Sequence, residues 1–440
     1  MKRKISFLKL ILLAAGILCV FVSCSTSPKA HAHIDAGVSS GAYEAALASL
    51  SDEKVQKTLY PPKNNILFYL DRGMIKHYAG MFKESTQDLH EAERLIEDAF
   101  TKSVSQEIGS YLANDNAKDY AGEDYEDLYI NVFNSLNFYH NNDLEGALVE
   151  IRRLNEKLNF LSDKYQKAKE KVLDSNKQLD PDQLQIEATK FSNSALARYL
   201  GILFYRGTGR PDSARIDYDY LLQAYELAPE IYTNKIPSSL EEEFSIPPEK
   251  GRLNVIAFTG LSPIKIEENV WIPLPLPPPN NRSRLSLPVM LLRPQTIQSA
   301  EVVLDTGERF PLELIENMSA VAMETFKSRF GLTVLKTTAR TIIKSTTSAV
   351  VAKAADSNNS GVGSLLGLVG RIYTDVSEQA DIRISRYFPG NALVGGINLD
   401  PGTHNVTVNF YGNGALVNSQ SMRVFIRERG LNLAEFVCLK

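Results

Sequence analysis

A chain of 440 residues, 44% hydrophobic and 23% charged, has the composition of a globular protein and the length for two or three hydrophobic cores. Its formal charge of −4 offers nucleic acid no basic surface, and three cysteines are too few for a disulfide-built scaffold.

The N-terminal stretch "MKRKISFLKLILLAAGILCVFVSCSTSP" places Lys2, Arg3 and Lys4 before an apolar run that ends in small residues, which is the pattern of a secretory signal. The run from Leu10 to Val22 falls short of the roughly 20 apolar residues that span a bilayer. Its end, "FVSC", resembles a bacterial lipobox with Cys24 as the acylated residue, although Phe21 stands where Leu is usual and "AHA" at Ala30–Ala32 offers ordinary cleavage instead. Acyl chains on Cys24 would anchor the protein to a membrane without crossing it. Ser25, in place of an Asp, points to the outer membrane, facing the periplasm or the surface. Loss of residues 1–23 removes four cations and takes the formal charge from −4 to −8. It leaves Cys438 without a disulfide partner. Residues 24–38 read as a tether.

From residue 39 to 230 apolar residues recur at intervals of three and four. Ile66, Leu70, Met74 and Tyr78 precede Phe82, Leu89, Ala92 and Ile96; Tyr129, Val132, Leu136 and Tyr139 precede Leu144, Ala147, Ile151 and Leu154. Short polar turns separate the members of each pair. The unit resembles the tetratricopeptide repeat, with Gly73, Gly80, Ser85, Ala92, Ser135, Ala147, Gly201 and Ala214 at its small positions. A third copy spans "ARYLGILFYRGTGRPDSARIDYDYLLQAYELAP", with a turn that reads one residue longer. A repeat-like α-solenoid is expected.

Prolines 229, 237, 247 and 248 mark a linker over 231–251. Beyond it, "RLNVIAF", "RLSLPVMLL", "AEVVLD" and "RFPLEL", and later "ADIRISRYFPG", "LVGGINL", "HNVTVNFY", "SMRVFIRE" and "LNLAEFVCL", read as strands. The proline run "IPLPLPPP" reads as a stiff loop between strands. Helical periodicity returns between about 317 and 376, broken by "SNNSGVG". The fold class expected is α+β, with a β-sandwich-like domain over 252–440 carrying an inserted helical hairpin.

The stretch "SYLANDNAKDYAGEDYEDL" crowds acids and amides between helices. An EF-hand would start at Asp115 and close at Glu126, but Ala117 and Tyr120 then occupy a ligand position and the turn glycine position, so no calcium loop is expected. Asp119 or Glu123 can cap a helix that starts near Asp124, with Tyr120 and Tyr125 packed on the neighbouring hairpin. Glu126 or Asp127 is expected near Arg152 or Arg153.

Asn114, Asp115, Asn116, Tyr120, Gly122, Glu123 and Glu126, then Val149, Glu150 and Arg152, then Ala380, Asp381, Arg383, Pro389 and Gly402 together resemble the motif pattern of an uncharacterised family of bacterial envelope lipoproteins with a tetratricopeptide-like N-terminal half. Phe388 and Asp400–Pro401 depart from that pattern. The resemblance implies an envelope lipoprotein without an established activity, whose partner is another envelope protein or peptide, in the setting of cell-wall assembly.

Enzyme chemistry is not expected. The six histidines fall into no zinc-ligand spacing, Ser262 in "FTGLSPI" lacks the second glycine of a nucleophile elbow, and "GVGSLLGLVG" follows a helix and has no lysine after it. Asp381 and Arg383 read as an ion pair between strand and hairpin. No metal or cofactor is implied. The reading is a lipid-anchored scaffold that binds its partner in a concave solenoid groove. Two alternatives remain: a glycan hydrolase built on Glu123 and Glu126, and membrane contact through the 317–376 hairpin.

Overall fold

The computed structural model describes residues 28–105, 118–175, 189–273, 282–331, 333–334 and 380–440. Cys24, Asn114, Asp115, Asn116, the proline run from 274 and most of the 317–376 segment lie outside the described residues. The architecture is α+β: a helical N-terminal region followed by a strand-rich C-terminal region.

The helices are α1 (Pro28–Ser40), α2 (Tyr43–Ser51), α3 (Glu53–Leu59), α4 (Asn65–Tyr78), α5 (Phe82–Ser105), α6 (Asp124–His140), α7 (Leu144–Ser175), α8 (Ala195–Gly207) and α9 (Pro211–Leu227). α4–α5, α6–α7 and α8–α9 form hairpins. Each has a three-residue connection whose middle residue is left-handed: Gly80 (φ 75°), Asn142 (φ 61°) and Gly209 (φ 73°). The third turn is therefore the same length as the others, not one residue longer. Small residues stand where helices cross. A Cβ on Gly73 would lie 2.8 Å from Leu89 of the facing helix, and Ser85 Oγ donates to the Gly73 carbonyl at 2.8 Å.

The expected tether is structured from Pro28. Ile34 and Val38 of α1 are buried because they extend the apolar core, and Asp35 pairs with Arg386 at 2.7 Å. The expected linker is packed as well. Tyr232 and, in the 3₁₀ segment Ser238–Phe244, Leu240 and Glu243 are buried.

The strands are β1 (Gly251–Leu261), β2 (Ile264–Pro273), β3 (Arg282–Leu291), β4 (Ser299–Leu304), β5 (Arg309–Glu316), β6 (Pro389–Leu399), β7 (Gly402–Gly412), β8 (Ala415–Ile426) and β9 (Asn432–Cys438). Two facing sheets of a sandwich are not what forms. Seven strands make one mixed sheet, ordered β8-β7-β4-β5-β6-β1-β9, with β9 parallel to β1. The sheet curls nearly closed. Between its edge strands, Gln420 donates to the Val437 carbonyl at 2.7 Å. β2 and β3 form a separate antiparallel ribbon.

β1 explains how the halves join. It is buried on both faces, and alternate side chains point opposite ways. Leu253, Val255 and Ala257 fill the barrel with Val302, Val408 and Phe410, whereas Ile256 and Phe258 enter the helical core with Phe133 and Phe388. The rings of Phe133 and Phe258 lie 5.0 Å apart. α6 is consequently enclosed: almost every residue from Asp124 to Asn137 is buried, polar ones included. After β5, residues 318–331 are helical.

Candidate functional site

Of the described motif residues, Tyr120, Gly122, Glu123, Glu126, Asp381 and Arg383 gather around the N-terminus of α6. Gly122 has φ 76°, and a Cβ there would sit 2.8 Å from Ile96, so both backbone and packing require glycine. Glu123 and Glu126 form a capping box, in which each carboxylate receives the other residue's backbone N–H. The expected helix start is found, with Glu123 as its cap.

The two carboxylates are not a solvated rim. Glu126 is fully buried (0% exposed) and Glu123 is 3% exposed. One oxygen of Glu126 accepts from Glu123 N at 2.7 Å and the Tyr120 hydroxyl at 2.8 Å; the other accepts from Ser385 N at 2.6 Å. Burial and the neighbouring Glu123 push the Glu126 carboxyl up to about 7, against the pull of these donors. Glu123 pairs with buried Lys265 of β2 at 2.7 Å and lies 3.5 Å from Arg329.

Asp381 and Arg383 belong to the same seam. They form a two-point ion pair at 2.8 Å within 380–388, a segment expected as a strand that is not one, since β6 begins only at Pro389, and so do not bridge a strand and a hairpin. Burial opposes the Asp381 charge, but its bonds to Arg383 hold its carboxyl below the ordinary value. The same guanidinium reaches Asn64 Oδ1 at 3.2 Å and the Lys118 carbonyl at 2.9 Å, and lies over the Tyr120 ring at 5.4 Å.

Glu150 and Arg152 stand apart from this seam. Glu150 is buried among Asn131 (2.7 Å), His90 (3.2 Å) and Arg153 (3.3 Å). Arg152 is exposed. The expected pairing of α6 acids with arginines is replaced by Asp127–Lys157 at 2.6 Å, while Arg153 takes Glu93 at 2.7 Å. One helical turn separates these choices, and local spacing does not distinguish them.

Several polar residues in the joint escape a reading of the sequence. Asp71 of α4 accepts from Ser385 Oγ (2.7 Å), Arg386 N (2.9 Å) and the Tyr60 hydroxyl (2.8 Å), and burial pushes its carboxyl up to about 6. Glu435 of β9 bridges His77 and His140, each at 2.7 Å. Burial opposes its charge, but the two rings outweigh burial and hold its carboxyl well below the ordinary value. Glu316 at the end of β5 accepts from Tyr129 (2.8 Å), Tyr232 (2.7 Å), and Ser194, the N-cap of α8 (2.9 Å). A charged residue inside an apolar stripe, such as Asp71 between Leu70 and Met74, is the only sequence signal that points to this class.

Chemically, the seam clamps. Its carboxylates meet donors that already belong to the fold, and Glu123 and Glu126 present no face to a glycan. Among the described residues no group of three His, Cys, Asp or Glu is arranged to hold a metal ion, and no helix is long and apolar enough to cross a membrane. An open cavity of about 410 Å³ lies elsewhere, between α8, α9 and the 3₁₀ segment, lined by Ile202, Arg206, Asp212, Arg215, Glu243 and Phe244. No protein-family model, curated protein or solved structure matches the chain.

Proposed function

We propose that the protein is a lipid-anchored adaptor of the cell envelope, held by Cys24 in the outer membrane, whose helical half binds another envelope protein. The observation that carries the binding role is the outer face of the helical hairpins. α6 and α8 are covered by the protein's own C-terminal half, which fills the groove a free solenoid would offer. α7 and α9 instead turn large apolar side chains outward: Val149 and Phe160 on one, Ile216, Tyr220 and Leu227 on the other, with Phe160 70% and Ile216 56% exposed. Ile216, Tyr220 and Leu227, at i, i+4 and i+11, share one face of α9, and large apolar side chains left exposed along a helix are the kind of feature that protein partners cover.

The lipobox-like "FVSC" supports the anchor, and the resemblance to envelope lipoproteins supports a partner in cell-wall assembly. The experiment compares the mature protein with an Ile216→Glu, Phe160→Glu variant in crosslinked cells. The adaptor reading expects a protein that co-purifies with the native chain and is lost from the variant, while both unfold at the same temperature. Identical recovery from the two would remove the α7–α9 face from the proposal.

A further inference from the structure

Ser262 lies in the turn between β1 and β2, fully buried, and its hydroxyl has no hydrogen-bond partner among the described residues. Two other buried polar groups near it share that state: the Tyr125 hydroxyl on α6 and Nδ1 of His31 on α1. The Tyr125 and Ser262 hydroxyls are neighbours that do not reach hydrogen-bonding geometry. Folded proteins leave few buried polar groups unpaired, and three from three parts of the chain in one place call for a common partner.

Arg293 gives this place its charge. Its Nε donates to the Ser262 carbonyl at 2.7 Å and Nη2 to the Arg386 carbonyl, while Nη1 makes no hydrogen bond among the described residues. The carboxylates nearby are already taken. Asp35 pairs with Arg386 at 2.7 Å and accepts from the Tyr387 hydroxyl at 3.0 Å, and Asp71 accepts from Ser385 Oγ, Arg386 N and the Tyr60 hydroxyl. Burial, and after it the charge of Arg386, pulls the Arg293 guanidinium down to about 10, as expected of an enclosed cation short of counter-charge. Burial first and Arg386 second also hold His31 down to about 4, so its ring is neutral at pH 7 and has one N–H to donate. Arg293 is half-buried, and the side chains of Arg386 and Asp35 keep 22% and 31% of their surface exposed, so the place opens to solvent beside α1.

We propose that Arg293, Ser262, Tyr125 and His31 form a binding site for a phosphate-type oxyanion, either free or as the terminal group of a larger ligand. A guanidinium, two hydroxyls and an imidazole N–H can all donate, and the charge left unmatched is positive. Donors brought by four separate parts of the chain suit a tetrahedral group with three or four oxygens better than the two oxygens of a carboxylate. The site stands independently of the adaptor reading.

Calorimetric titration and thermal unfolding of the purified protein, with chloride as the only other anion, test this with inorganic phosphate, methyl phosphate and acetate. Ser262→Ala and Tyr125→Phe remove hydroxyls that bond to nothing in the fold, so without phosphate the double variant should unfold at or slightly above the native temperature. The expected result is saturable binding of one phosphate per chain, a rise in unfolding temperature that follows it, and binding at least tenfold weaker in the double variant. Should the double variant fold less stably, Ser262→Ala alone carries the comparison. Methyl phosphate bound as well as phosphate would support a terminal group of a larger ligand, and its exclusion would support the free ion. Absence of saturable phosphate binding, or an equal response of the native protein and the variant, would overturn the proposal, and so would acetate bound more tightly than phosphate.

Discussion

Glu126 on α6 accepts the backbone N–H of Ser385, 259 positions further along the chain, at 2.6 Å. The segment 381–388 is held against the helices by this bond and by the Asp71 bonds to Ser385 and Arg386. A glutamine at 126 must turn an amide N–H₂ toward at least one of three donors. Glu126→Gln is therefore expected to cost roughly 2 kcal/mol, in the range of a lost hydrogen bond to a charged group, where an exposed pair would have cost almost nothing. Tyr120→Phe, which removes one donor and keeps the ring, should cost about 1 kcal/mol, and Tyr120→Ala about 3 to 5 kcal/mol. Urea unfolding of the three variants checks the order.

Acidity should strengthen the fold down to roughly pH 5. Glu126 is raised from 4.5 to about 7 and Asp71 from 3.8 to about 6, chiefly by burial. Each binds its proton more tightly folded than unfolded, so each costs stability as pH rises from the unfolded to the folded value. His77 is shifted upward: burial opposes its charge, but Glu435 prevails. Its contribution is complete below 6.5 and is lost as pH rises through the folded value. Glu435 acts in the opposite sense, since its lowered carboxyl loses its contribution as pH falls below 4.5. Thermal unfolding should occur at a higher temperature at pH 5.5 than at pH 8, and at a lower one again by pH 3. A flat profile from 5.5 to 8 would refute the assignment.

Removal of Glu435 should be felt in the helices. His77 is buried, with Asn137 Oδ1 at 2.7 Å from Nδ1 and Glu435 at Nε2, and His140 stacks on Phe82 at 4.1 Å. Glu435→Ala leaves His77 buried without its counter-charge. The expected cost is about 3 kcal/mol, and NMR titration of His77 should show its pKa falling below that of the native protein.

Two glycines separate packing from backbone freedom. At Gly201 a Cβ would lie 2.1 Å from Asp217 Oδ2, against the ion pair that Asp217 makes with Arg198 at 2.7 Å. At Gly209 the added carbon meets nothing, but φ is +73°. Gly201→Ala should cost roughly 1 to 3 kcal/mol by overpacking, and Gly209→Ala about 1 to 2 kcal/mol by backbone strain alone. Combining Gly201→Ala with Asp217→Ala should recover part of the first cost and leave the second unchanged.

Much of this protein is readable from local pattern. The spacing of Ile66, Leu70 and Met74, or of Tyr129, Val132 and Leu136, is a property of neighbouring residues, and so are the glycines that let helices cross and the capping box at Glu123 and Glu126. Those features need only a helical period and short-range hydrogen bonds, and the structure places helices, crossings and cap there. What folding in three dimensions decided is the choice of distant partners. Whether two β-layers form or one sheet curls nearly shut depends on which edges meet, and "LNLAEFVCL" reads the same beside any strand. That Glu126 faces Ser385 rather than Arg152, that His77 meets Glu435, and that the inner face of the helical hairpins is filled by Phe258 and Phe388 of the same chain all depend on contacts hundreds of residues apart. Short-range periodicity records which residues turn inward; only the assembled core determines what they turn toward.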